Sequence, residues 1–567
     1  MKGCHSTMQL KSKNIFLLLT ILMSALYVWP ELNFQDLLSQ GDHGRDLYAF
    51  DAVTHGKLPY KDFWWVYGPI MPYYYGLFFK IFGVHITSVL LGRALLVVLC
   101  SAFFYLSAAC LMPPGLAFLG AAWFTQSRQE FFFTYNHIGG IAAELIIGWC
   151  LLSYIRMGAM RHLWIALVAG FVLGLVKINF GLAGLAGIVL GVLFIDYSQK
   201  RPFSDQKKKL YLCAAGLIPL VLGSIYWLLL KDLPLYAIRQ CMPYFGTDQP
   251  YHASPLMVIP YYFTQHWLTL THFIRVWLPV YSIRLPVGII FTLILHGCTL
   301  LATYLLITKR LEKQYRQDIL LALAVIGIFF VFYFHEFLVS GVWYRNYWSL
   351  PFLDLFHFVM IAVAFTFIPK FLRVFIRIFL GGLIAFLMIL HIYTIQNQKE
   401  PSHYLSMDRG QIYVGNEPQW TDTVNRVTDF LNTNLKKDDL FFALPYDCLY
   451  YYLTGKTSPT RQLIFFDHIK IPQAQEISVI RELEKNKIGF VLMSTRIISD
   501  EIGLGIFGRT YCPLLGQFVH DNFTPIVRQG GDWTQPPGWA NNHGVIILKK
   551  IEFEWRGRRD LNSRSSA

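Results

Sequence analysis

Four aspartates crowd one short polar stretch of an otherwise apolar chain. Asp42, Asp46, Asp51 and Asp62 lie in Gly41-Asp-His-Gly-Arg-Asp-Leu-Tyr-Ala-Phe-Asp-Ala-Val-Thr-His-Gly-Lys-Leu-Pro-Tyr-Lys-Asp-Phe63, which runs on into Trp-Trp-Val-Tyr-Gly-Pro69. Carboxylates held beside a lipid boundary suit a reaction that takes one substrate from lipid and another from water, because an attacking hydroxyl or amine needs a base. Taken singly, each aspartate also reads as an acid that merely solvates a loop. Glu130, in Arg128-Gln-Glu-Phe-Phe-Phe-Thr-Tyr-Asn-His137, is a second acidic candidate with the same alternative. Glu144 falls within the next apolar run, where an unpaired carboxylate is expensive, so it is expected neutral or paired inside the bundle. Arg345, in Val342-Trp-Tyr-Arg-Asn-Tyr-Trp-Ser-Leu-Pro351, can grip a phosphate through two hydrogen bonds or snorkel to lipid headgroups, and both readings stand. Lys177 and Asn179 interrupt an apolar hairpin, and Arg239 and His252 are weaker candidates for sugar or phosphate contact. His335-Glu336 is too small a group to hold a metal. Neither metal nor cofactor is expected.

The elements that must position these residues are set by apolar runs. The chain has 567 residues, 54% hydrophobic and 15% charged, against about 25% charged in soluble proteins. The apolar residues gather near 14–30, 85–111, 114–125, 138–155, 162–176, 178–195, 210–230, 285–308, 319–335, 348–368 and 378–396, of which the third and fifth are short. The first reads as an uncleaved anchor, since Trp29-Pro30-Glu31 rather than a small-residue cleavage site ends it. Basic residues collect in alternate loops: Arg156 and Arg161; Lys200, Arg201 and Lys207 to Lys209; Lys309, Arg310, Lys313 and Arg316; Lys370, Arg373 and Arg377. The positive-inside rule makes these cytoplasmic together with the N-terminus, so the count is odd and residues 397–567 lie outside. The net charge of +14 therefore addresses membrane lipid and not nucleic acid.

The expected fold is an α-helical polytopic membrane protein of about eleven transmembrane helices with a small extracytoplasmic α/β C-terminal domain. Residues 1–396 form the membrane domain, with outer loops 31–84 and 231–284. In the domain 397–550, Trp420, Val424, Val427, Phe430 and Leu431 recur at helical spacing, as do Ile477, Ile480 and Leu483. Leu440–Leu444, Ile488–Met493 and Gly544–Leu548 read as strands. The tail 551–567 is expected to be disordered. Trp64, Trp65, Tyr67 and Tyr73 to Tyr75 are expected to anchor the first loop at headgroup depth. Cys448 and Cys512 share the outer domain, where a disulfide between them is open.

In its order of residues the first loop resembles that of the GT-C glycosyltransferases, the superfamily of protein O-mannosyltransferases and the lipid A aminoarabinose transferase. Their pattern is an acid, a helix with Tyr and small residues, then G-x-x-P-Y-x-D-F and a Pro-containing turn. Asp42, Tyr48, Ala52, Gly56, Pro59, Tyr60, Asp62 and Phe63 match it in order and spacing. The resemblance implies a multi-pass enzyme of a bacterial cell inner membrane that moves a sugar from a polyprenyl-phosphate donor to an acceptor, its class open, on the outer face. It makes Asp42 and Glu130 catalytic candidates and Asp62, Tyr67, Arg239 and Arg345 substrate-binding candidates. The chain departs from the pattern at His43, where many relatives have a second acid, and at Tyr67-Gly68-Pro69, where many have Lys-Pro-Pro. The rival class is a transporter or lipid flippase, but the charges gather at one face and no internal repeat supports it.

Overall fold

Each apolar run becomes a helix, as a backbone in lipid must satisfy its own hydrogen bonds. A computed structural model describes residues 2–127, 135–241, 281–340, 343–469, 471–498, 505–531, 533 and 543–551; at 2–11, 127, 281–292, 338–340, 343–344, 468 and 498 only the backbone is described. The helices are Lys2–Val28, Ile86–Ala108, Pro114–Ser127, His137–Met157, Met160–Val176, Ile178–Ser198, Asp205–Leu230, Tyr281–Ile307, Lys313–Tyr333, Leu350–Ala364 and Lys370–Asn397. Among the described residues seven helices are long and apolar enough to cross a membrane, and Met160–Val176, Leu293–Ile307 and Leu350–Ala364 are shorter apolar segments. The protein is an integral, multi-pass membrane protein.

Lipid tails are as apolar as leucine, so close backbone contact and polar clamps must hold such a bundle. Helices Met160–Val176 and Ile178–Ser198 meet glycine on glycine: a Cβ added at Gly181 would lie 2.2 Å from the Gly174 Cα. Arg93 donates to Glu31 (2.9 Å) and to the Gln35 side-chain oxygen (2.8 Å), and His391 lies 3.3 Å from Glu31. That cluster ties Ile86–Ala108 and Lys370–Asn397 to the start of the first loop.

At this end of the bundle lie two small sheets. In the first, β1 (Phe34–Gln35) runs parallel to β3 (Ile412–Val414), which pairs antiparallel with β2 (Tyr404–Leu405). In the second, the order is β4-β5-β7-β6, built from β4 (Phe441–Leu444), β5 (Phe490–Ser494), β6 (Phe523–Gln529) and β7 (Val545–Lys550). Only β4 and β5 are parallel. Side chains alternate across this sheet. Phe441, Ala443, Leu492 and Ile547 join the main core, whereas Phe442, Leu444, Val491 and Leu548 pack a separate core with Val479, Leu483 and Leu515.

The expected helices appear as Pro418–Asn434 and Gln473–Lys485, and the expected strands as β4, β5 and β7. Three readings change. The stripe of the second helix is Val479 and Leu483, with Ile477 exposed. Cys448 and Cys512 are both buried free thiols. Trp64 and Trp65 are buried inside the protein and do not anchor it on lipid: the Trp64 backbone N–H donates to the Arg461 carbonyl (2.8 Å) of the segment after residue 397, and Trp65 Nε1 donates to the Gly68 carbonyl (3.0 Å). Of the aromatic anchors, Tyr73 is exposed and Tyr75 is buried.

Candidate active site

The first-loop helix spans Asp42–Thr54. Its start is built locally: the Asp42 N–H donates to Ser39 Oγ (3.2 Å), and the Ser39 N–H donates to His43 Nδ1 (2.9 Å). A negative side chain in the first turn is favoured by the helix dipole, and Asp42 takes that place. His43, where the family pattern has a second acid, is thus a structural residue of the helix start.

Arg45 is shared between two acids. Its Nη1 reaches Asp42 Oδ1 (3.2 Å), while Nε and Nη2 both donate to Asp46 Oδ1 (3.0 and 2.8 Å). Asp46 Oδ2 accepts a further bond from Asn136 Nδ2 (2.5 Å). Burial pushes the Asp46 carboxyl up to about 6, with Arg45 pulling against it. The Asp42 side chain differs: it is 32% exposed against 4% for Asp46. Its Oδ1 also accepts from the Tyr446 hydroxyl (2.7 Å), whereas Oδ2 accepts no hydrogen bond among the described residues. A carboxylate with one oxygen tethered and the other open is what a proton acceptor requires.

From Arg45 a polar track leads across Tyr67 to a second cluster. The guanidinium lies 5.0 Å from the Tyr67 ring centre, and that ring meets His137 edge-on at 5.0 Å. His137 Nδ1 hydrogen-bonds the Tyr347 hydroxyl. Burial holds the Tyr67 phenol above its usual range, opposed by the charges of Arg45 and Arg345. Beside Tyr67, the Gly68 N–H donates to the Val176 carbonyl (2.7 Å). A side chain at 68 would strike the Leu175 backbone, so glycine lets the 175–177 segment close on the turn. Lys177 is carried to this place. Its Nζ contacts both Glu336 oxygens at 2.5 Å, and Arg345 Nη1 lies 3.7 Å from the same carboxylate. Phe180 and Trp348 stack at 3.9 Å under the ammonium, and Asn179 Nδ2 meets His335 Nε2 at 2.9 Å. Arg345, 28% exposed, is the most exposed member of the triad.

The structure therefore brings together Asp42, Tyr67 and Arg345 but not the other candidates. Asp62 is exposed and closes a turn, its Oδ2 accepting from the Leu58 N–H (2.7 Å). Arg239 is exposed on the short helix Leu235–Cys241 and joins neither cluster. Glu130 and His252 lie outside the described residues. Glu144 is fully buried, and neither oxygen has a hydrogen bond among the described residues. Sequence reasoning passed over Arg45, although its place three residues after Asp42 was visible. It also passed over Tyr446, 404 residues from its partner, and treated Glu336 only as a poor metal ligand.

A family model described as dolichyl-phosphate-mannose-protein mannosyltransferase matches residues 67–227, beginning just past the Asp42–Phe63 motif. The apo crystal structure of ArnT from Cupriavidus metallidurans superposes with a TM-score of 0.57, over 94% of this chain and 97% of that one, at 12% identity. The chain has the GT-C glycosyltransferase fold. The oligosaccharyltransferase AglB from Archaeoglobus fulgidus, at TM-score 0.48 and 12% identity over 97% and 75% of the two chains, is too distant to add to this. No curated protein matches the sequence significantly. In this GT-C chain the described sheets and the first-loop helix meet at one end of the bundle, and both polar clusters sit there.

Proposed function

We propose that this protein is a membrane glycosyltransferase that moves a sugar from a polyprenyl-phosphate donor to an acceptor at the outer face. The reading is supported most by one juxtaposition: a partly exposed Asp42 carboxylate lies across Tyr67 from the two cations Lys177 and Arg345 gathered around Glu336. The matching family's description names a dolichyl-phosphate-linked donor, which has the same chemistry. An acceptor hydroxyl or amine attacks the anomeric carbon as the bond from that carbon to the phosphate oxygen breaks. The electron pair leaves with the phosphate, and Asp42 Oδ2 takes the acceptor's proton. Arg345 and Lys177 stabilise the charge that builds on the departing phosphate, where fixed donors need no reorganisation. Arg45 and Asp46 hold Asp42, and Glu130 is a second acidic candidate of the site.

The test is release of polyprenyl phosphate from a panel of short-chain polyprenyl-phosphate hexoses and pentoses by the purified full chain. One member should turn over, and Asp42→Asn should cut that turnover by roughly two to four orders of magnitude while binding of the same donor persists. Donor bound but released equally well by both proteins, or donor flipped across vesicles without cleavage, would replace this reading with the transporter. Orientation is checked separately. Thr457 is exposed in the outer segment, so Thr457→Cys should react with a membrane-impermeant maleimide in intact spheroplasts. Labelling only after lysis would place that segment inside.

A further inference from the structure

The segment carrying the sheets does more than cover the membrane domain. Its Tyr446 follows β4 and projects a hydroxyl onto Asp42 Oδ1 at 2.7 Å. The ring is held by the Arg496 guanidinium, 5.1 Å from its centre, and by Phe466 edge-on at 5.7 Å. Burial and the Asp42 charge hold the phenol well above its usual range, so it stays protonated and can only donate here. The first loop is shaped to receive it. A Cβ at Gly41 would lie 1.7 Å from two atoms of the Tyr446 ring, and one at Gly44 would lie 2.3 Å from the Leu449 backbone nitrogen. Neighbouring bonds fix the same docking: the Leu449 N–H donates to the Gln40 carbonyl (3.0 Å), the Ser458 N–H to the Tyr48 hydroxyl (3.2 Å), and Arg409 pairs with Asp51 (2.7 Å).

We infer that Tyr446 is a positioning residue for the base, supplied by the outer segment, so that the site is complete only when the first-loop helix is docked on it. This rests on the role of Asp42 proposed above. Arg45 and Tyr446 share Oδ1 and so aim Oδ2 at the acceptor. Arg45 alone approaches from the helix side at 3.2 Å, and the phenol supplies the shorter bond from the opposite partner. A hydrogen bond to a charged group carries about 1.5–3 kcal/mol, which corresponds to a roughly ten- to hundredfold effect.

The test separates the hydroxyl from the ring. Position 446 is replaced by Phe, by 4-methylphenylalanine, which fills the same volume without a donor, and by 4-aminophenylalanine, which restores a donor. Turnover is read as polyprenyl phosphate released from the panel member that the native protein uses. The Phe and 4-methyl variants should lose roughly tenfold or more in kcat with KM for the lipid donor unchanged, and the 4-amino variant should recover most of it. In an Asp42→Asn background the loss of the hydroxyl should cost nothing further, since its effect passes through Asp42. Equal kcat for the 4-methyl and 4-amino proteins would overturn the inference, as would losses that multiply in the double variant. If the Phe protein fails to fold, the volume-matched pair still decides. An Asp42→Asn protein with native turnover would instead sink the proposed mechanism itself, a distinguishable result.

Discussion

The two polar clusters are opposites built on one plan. Around Asp42, two acids share one cation; around Lys177, two cations share one acid. The first triad carries one net negative charge and the second one net positive charge. Each has a buried pair that fixes geometry, Arg45 with Asp46 and Lys177 with Glu336, and one partly exposed member, Asp42 or Arg345. Burying an ion pair is weakly stabilising at best, because desolvation offsets the attraction. What it offers a site is orientation. The negative half is shaped to accept a proton and the positive half to accept a phosphate, with Tyr67 and His137 between them.

The largest expected effect breaks this symmetry at its open negative member. Asp42→Asn keeps shape but cannot take a proton at neutral pH, so turnover should fall by roughly two to four orders of magnitude with thermal stability preserved. Asp46→Asn should do the reverse. Its amide oxygen can still accept from Arg45, but the charge that balanced the buried guanidinium is gone and the new NH2 opposes the Asn136 Nδ2 donor, and breaking a buried ion pair costs about 3–5 kcal/mol. Its main signature should be a lowered unfolding temperature in detergent. If Asp46→Asn abolishes turnover at native stability while Asp42→Asn is tolerated, the buried and open roles are reversed.

Smaller effects are expected on the positive side, because each variant leaves at least one cation to balance the phosphate's charge. Arg345→Lys replaces a planar fork by a point charge and should weaken donor binding by roughly tenfold with little change in unfolding temperature. Lys177→Met should weaken binding comparably and also destabilise, since it leaves the buried Glu336 with only the longer Arg345 contact (3.7 Å). Equal donor saturation curves for native and Arg345→Lys proteins would leave Arg345 as a headgroup anchor.

The same contrast explains what could be read before the structure. The helices were legible because an apolar run of membrane length has few other fates. Asp42 was legible because its cluster is local, with acid, small-residue helix and Pro-containing turn in one stretch. The positive cluster was only half legible: Lys177, Glu336 and Arg345 come from three distant segments, and nothing in the sequence pairs them. Tyr446 sits in Leu444-Pro-Tyr-Asp447, with no pattern to distinguish it. Trp64 and Trp65 were misplaced because an aromatic pair beside an apolar run looks the same whether it faces headgroups or a second layer of protein.

The smallest effect expected is at Asp62, and it sharpens the comparison because this residue has the family match but neither environment. Its carboxylate is exposed and spends itself on the Leu58 N–H, closing a turn in which Tyr60 adopts a left-handed φ of 68°. That turn matters only through Tyr60, whose hydroxyl donates to the Tyr67 carbonyl and whose own carbonyl accepts from Arg461 Nε at 2.7 Å. Those contacts keep the turn in place when one exposed hydrogen bond is lost, a change of about 1 kcal/mol or less. Asp62→Ala should therefore leave turnover within about twofold and KM for the lipid donor unchanged. A large rise in that KM at native stability would show that the loop beyond the first helix handles the donor directly. The boundary of the site would then move from Tyr67 to the turn itself.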